Sequence, residues 1–241
     1  MTKQIKKSTK KYAFSLAEVL IALGIIGVVA ALTIPVLIGY NEKEETVSKL
    51  KNIYSTVSQA IDKATVENGQ YKYWDYLNLV WYQREPVDFV NKYLAPNIKG
   101  LEYYADGGSG QTLSLCGVTY KWILDGRVED YWTTGNYKWA SFVMPNGMCL
   151  GVLREGSAEV QILVDINGPK KPNIVGYDFF MFVIETETGK LKPRGYDQPY
   201  SSIQADHGLG CTLSSTKQYC AAKIMYDGWR IAPDYPWHQT K

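Results

Sequence analysis

The sequence predicts an α+β protein in which one very long N-terminal helix is laid against an antiparallel β-sheet. Three observations carry that expectation. Residues 19–39 form an uncharged, mostly apolar run. The apolar residues that follow, from Val47 to Ala64, recur at helical spacing. From Leu113 onward the apolar pattern shortens to strand-length runs separated by turn residues. A chain of 241 residues that is 46% hydrophobic and 21% charged holds one ordinary domain plus an additional segment, and is not disordered, collagen-like or a multi-span membrane protein. Its 26 Lys+Arg against 24 Asp+Glu give a net charge of +2, so no chain-wide basic field for nucleic acid exists.

The first element is a basic head. Lys3, Lys6, Lys7, Lys10 and Lys11 precede the apolar run with no acid among them, and without residues 1–13 the chain has 21 basic and 24 acidic residues, a net of -3. The run itself, Val19 to Gly39, is 21 residues long. As a helix it would rise about 30 Å, the thickness of a bilayer's hydrocarbon core. The lysine-rich flank should remain cytoplasmic and the bulk of the chain should face outward. A secretory signal cleaved after Ala30-Ala31, or an uncut signal anchor, fits the same pattern. Neither explains Glu18 at the mouth of the run, where a carboxylate in lipid costs about 2.5–3.5 kcal/mol or more and calls for a partner.

The residues Lys10-Lys-Tyr-Ala13 followed by Phe14-Ser-Leu-Ala-Glu18-Val-Leu-Ile-Ala-Leu-Gly-Ile-Ile-Gly27 resemble the class III leader of type IV pilins and type II secretion pseudopilins. The resemblance implies that a prepilin peptidase removes a leader of residues 1–13 by cutting between Ala13 and Phe14, then methylates the new amine of Phe14. It implies that Glu18 pairs with a neighbouring subunit's N-terminus during filament assembly, and that Pro35 matches a helix-bending proline. The family most often has Gly before the cut, and Ala13 departs from that pattern. The implied partners are the peptidase, other pilin or pseudopilin subunits, an inner-membrane assembly platform and, before assembly, membrane lipid. The implied location is the bacterial inner membrane, single-pass with a cytoplasmic N-terminus, and afterwards a periplasmic or extracellular filament. No nucleic-acid partner is indicated.

Beyond the span (residues 14–39), an amphipathic helix is expected over residues 40–69. Val47, Leu50, Tyr54, Val57, Ile61 and Ala64 form its apolar stripe, Glu42, Lys43, Glu44 and Glu45 belong to its solvated face, and Asn68-Gly69 stops it. A globular domain should occupy residues 70–241. Tyr71, Tyr73, Trp74, Tyr76, Trp81 and Tyr82 read as core or sheet cover, and residues 83–110 as irregular connection with at most one short helix around Val87 to Leu94. Strands are expected over Leu113–Leu124, Ala140–Met144, Met148–Leu153, Val160–Ile166 and Tyr177–Ile184, making a sheet of four or five strands. Asn146-Gly147 and, more weakly, Asp125-Gly126 signal hairpins.

Four cysteines allow three pairings, among which the sequence does not choose. The expected set is Cys211 with Cys220, closing a short loop near the end, and Cys116 with Cys149 across the sheet. The resemblance favours the first pair, since many type IV pilins close a C-terminal loop by a disulfide. Zinc is disfavoured, because no CxxC spacing occurs and only two histidines are present. Asp165, Asn167, Asn173 and Asp178 are candidate calcium ligands. The segment resembles a loop of pilin-like domains that binds calcium in major pseudopilins, but Asn and Asp also cap turns, and Lys170 and Lys171 would repel a cation. No phosphate loop, zinc-protease helix or nucleophile elbow is found, so an enzyme is not expected. The function these observations favour is a structural filament subunit, with an exported monomeric binding module, carbohydrate-binding through the 71–82 aromatics, as the alternative.

Overall fold

The computed structural model describes residues 15–78, 85–108, 111–124, 127–130, 137–155 and 159–237. Helix α1 runs from Leu16 to Asn68 and continues through Pro35. The chain divides into two compact units between Glu42 and Lys43. In the first, the only structured element among the described residues is the apolar part of α1.

In the second unit the amphipathic stripe is the buried face. Val47, Leu50, Val57, Ile61 and Ala64 are buried, joined by Ile53 and Ala60 between them. Tyr54 is half-buried; its ring meets Phe182 at 5.6 Å and its hydroxyl donates to the Leu191 carbonyl at 3.2 Å. The helix ends where expected. Gly69 takes a φ of +80°, and the Asn68 side-chain amide donates back to the Ala64 carbonyl at 2.9 Å, reinforcing the last turn.

Among the described residues eight strands follow: β1 (Glu102–Gly107), β2 (Lys121–Leu124), β3 (Arg127–Asp130), β4 (Tyr137–Val143), β5 (Cys149–Glu155), β6 (Val160–Asp165), β7 (Phe179–Ile184) and β8 (Leu191–Pro193). Six form one antiparallel sheet in the order β1-β4-β5-β6-β7-β8, while β2 and β3 pair separately. The sheet is thus larger than the four or five strands expected. β1 lies inside the stretch read as irregular, because its edge position leaves Tyr103 and Tyr104 exposed and removes the alternation that marks a half-buried strand. β8 spans only three residues and is held by pairing with β7 rather than by any pattern of its own.

Strands β6 and β7 are buried along their whole length, so both faces carry a core. Val160, Ile162, Val164, Phe180, Phe182 and Ile184 join the cluster under α1. Leu163, Phe179 and Met181 face the other way, into a second cluster with Leu113, Leu115, Tyr120 and Trp139. The expected strand Leu113–Leu124 is therefore strand only from Lys121; before it the chain is a loop, closed by the Leu115–Val118 bridge, that lies over the second core. Gly151 of β5 permits this close approach, since a Cβ there would stand 2.4 Å from Leu115 Cδ2.

Asn146-Gly147 turns β4 into β5, with Gly147 at φ +80° donating to the Met144 carbonyl at 2.8 Å. Asp125-Gly126 lies outside the described residues, between paired β2 and β3. Around the expected short helix, α2 (Asp75–Asn78) and α3 (Pro86–Phe89) appear, the latter continuing into a π turn at Val90–Leu94. The C-terminal segment adds α4 (Tyr200–Ile203) and α5 (Cys220–Tyr226). Lys223 of α5 is buried, with its ammonium 2.7 Å from Asp234 and 3.2 Å from Asp227, so the segment closes on a compensated charge.

Candidate functional site

The start of α1 is built by two residues three apart. Ser15 precedes the first turn, and its side-chain oxygen accepts from the Glu18 amide at 3.3 Å. In return the Ser15 amide and hydroxyl each donate to Glu18 Oε2 at 2.8 Å. This reciprocal pattern is a capping box, and it places a carboxylate over the positive end of the helix. Glu18 thus has a partner within its own chain, which spacing from the apolar run alone did not reveal; the Ser-x-x-Glu signal was available in the sequence. Ala13 and Phe14 lie outside the described residues.

Downstream of the box the helix is an apolar rod. Leu20, Ile21, Leu23, Ile25, Ile26, Val28, Leu32 and Leu37 are each more than half exposed in the isolated chain. Gly24 and Gly27 have open space where a side chain would stand, leaving shallow places for another helix to approach. A continuous exposed apolar surface of this kind calls for lipid or protein around it. Among the described residues, α1 is one helix long and apolar enough to cross a membrane. Pro35 lies within it and has no amide to donate to the Ala31 carbonyl.

The four candidate calcium ligands are brought together in the β6–β7 connection. Asp165 accepts from the Tyr120 hydroxyl at 2.6 Å and the Asn167 amide at 2.9 Å. Asp178 accepts from the Asn173 and Ile174 amides, each at 2.7 Å, and from the Asn167 side chain at 3.2 Å. Both aspartates are buried, and every carboxylate oxygen already faces a donor. The side-chain oxygens of Asn167 and Asn173 are buried without a hydrogen-bond partner. Among the described residues no group of three or more His, Cys, Asp or Glu is placed to hold a metal ion.

Burial pushes the Asp165 carboxyl up to about 7 against the Tyr120 and Asn167 hydrogen bonds, with the nearby Asp178 charge adding to the rise. Burial likewise raises Asp178. A carboxyl raised on folding holds its proton longer in the native chain than in the unfolded one. Its stabilising contribution is complete below its ordinary value of 3.8 and is lost as pH climbs to about 7. The parent is therefore expected to be more stable near pH 4.5 than near pH 7.5, by about 3 kcal/mol from this group. Asp165→Asn should flatten that slope in pH-dependent denaturant unfolding; an unchanged slope would contradict the assignment.

Cys116 and Cys149 are bonded across the second core, with Cα atoms 6.1 Å apart, and Cys211 and Cys220 close a C-terminal loop at 4.8 Å. The aromatic group is core. Tyr71, Trp74 and Tyr76 are buried together with Phe89 and Tyr93, and Trp74 stacks on Tyr93 at 3.9 Å, while Tyr73 is exposed. Trp81 and Tyr82 lie outside the described residues.

Residues 8–34 match the model of the prokaryotic N-terminal methylation motif, which supports a type IV pilin-like N-terminus. Residues 36–239 match the model of a family of unknown function (DUF6613), and the chain belongs to that family. No curated protein and no solved structure matches it. The methylation motif together with one apolar N-terminal helix suits membrane anchoring.

Proposed function

We propose that this chain is a structural subunit of a type IV pilus or type II secretion-like filament. It is made as an inner-membrane precursor with a cytoplasmic N-terminus, cut between Ala13 and Phe14, methylated at Phe14 and drawn into the filament by packing of its N-terminal helices. The observation that carries this reading is the exposed apolar stretch of α1, capped by Ser15 and Glu18 and lying behind a methylation motif. Stacked copies bury that surface from water once it leaves lipid, and head-to-tail contacts produce open filaments instead of closed rings. Glu18 acquires the amine of an adjacent subunit's Phe14 in addition to its own cap.

Cells making the chain with a prepilin peptidase and an assembly platform should release, on shearing, a polymer built from it. Recovery solely as a membrane monomer would favour the binding-module alternative. That alternative is weakened because Tyr71 packs on Trp74, and Tyr76 on Phe89, rather than offering faces to a sugar.

Asp165, Asn167, Asn173 and Asp178 act in this reading as turn caps. An ion site with calcium at a hundred times its Kd would add about 2.7 kcal/mol, a rise of several degrees in Tm at this chain length. No such rise is expected on titration with calcium. A rise that magnesium does not reproduce would establish an ion site.

A further inference from the structure

On the sheet face turned away from α1, a cleft of about 200 Å³ opens between the start of β6, the turn after β8 and the loop before α5. Glu159, Gln161, Arg194, Tyr196, Asp197 and Tyr219 supply most of its polar lining. It is separate from α1 and from the buried aromatic group.

The cleft is built rather than incidental. Gln161 is 5% exposed, and its side-chain oxygen accepts from Arg194 Nη1 at 2.7 Å, which fixes the guanidinium against the sheet. The Tyr196 hydroxyl donates to Glu159 Oε1 at 3.2 Å. Gly195, at φ +87°, lets the Tyr219 ring close on the turn, since a Cβ there would stand 2.6 Å from the ring. One wall is thus an aromatic surface, and the others are fixed planar groups that donate or accept in pairs.

Its charge narrows what can enter. Two carboxylates, Glu159 and Asp197, stand against one guanidinium, so an anion is repelled, while Arg194 opposes a cation. Burial raises the Glu159 carboxyl against the Tyr196 hydrogen bond, and the Asp197 and Glu185 charges add to the rise. A ligand that presents donors and acceptors side by side without net charge, and a flat apolar face for a tyrosine ring, satisfies every wall. We propose that this cleft binds a neutral polyhydroxylated ligand, a single saccharide unit of a larger glycan.

The test is saturation-transfer NMR on the full chain in phosphocholine micelles, which carry no sugar headgroup, with glucose, galactose, mannose and N-acetylglucosamine as probes. At least one should receive saturation. Arg194→Lys and Glu159→Gln should each weaken it about tenfold or more while leaving the melting temperature unchanged; the second keeps an acceptor for Tyr196 and tests the site even if the first disturbs Gln161. No transfer to any probe, or undiminished transfer in both variants, would overturn the proposal. So would binding of spermidine or inorganic phosphate in place of the sugars, because either result would show that charge governs the cleft.

Discussion

Replacing Glu18 by Gln is expected to leave cleavage before Phe14 intact and to abolish filament assembly. Gln at this position of a capping box still accepts from the Ser15 amide, so the helix start is preserved and only the charge is removed. In the filament that charge would sit among apolar side chains beside a neighbouring amine. Removing one member of a buried ion pair costs about 3–5 kcal/mol, roughly a hundredfold or more in the equilibrium of each subunit addition. Ser15→Ala supplies the control. It loses part of the cap, at about 1 kcal/mol, while keeping the carboxylate, and should assemble. Pelleting of sheared filaments and the mass of the processed chain read both steps. Normal assembly of the Gln variant would mean that Glu18 serves only its own helix end.

The second large effect concerns the bond between Cys116 and Cys149. It closes a sequence separation of 33 residues, against 9 for Cys211 and Cys220. Constraint of the unfolded chain grows with loop length, giving about 4 kcal/mol for the longer loop and about 3 for the shorter. The longer one also pins the loop from Leu113 to Tyr120 over Leu153, Leu163 and Met181. Cys116→Ala with Cys149→Ala should therefore lose about 4 kcal/mol in denaturant unfolding of the whole chain in micelles, and should expose the Leu115 and Val118 amides to hydrogen exchange. A loss below about 1 kcal/mol, or one smaller than that of the Cys211/Cys220 pair, would contradict this ranking.

Much of the architecture could be read from residue spacing. The stripe from Val47 to Ala64 specified which face of α1 is buried, and Asn146-Gly147 marked the β4–β5 turn, because both depend on local periodicity and local backbone preference. What escaped depends on contacts distant in sequence. β1 and β8 are strands through pairing with β4 and β7, and the Leu113–Tyr120 segment is pulled out of strand by its packing on the second core. The cleft of Glu159, Arg194 and Tyr219 joins residues up to sixty positions apart and left no motif. At the N-terminus the reverse holds. The Ser15–Glu18 box was written locally but overshadowed by the demand that a carboxylate near lipid must find a partner elsewhere.

Intact mass with N-terminal sequencing, on chain recovered from membranes that contain a prepilin peptidase, tests the filament reading most directly. The expected result is a polypeptide beginning at Phe14 and carrying one added methyl group. A first residue near Thr33, as a conventional signal cleavage would leave, or an unprocessed Met1, would contradict it.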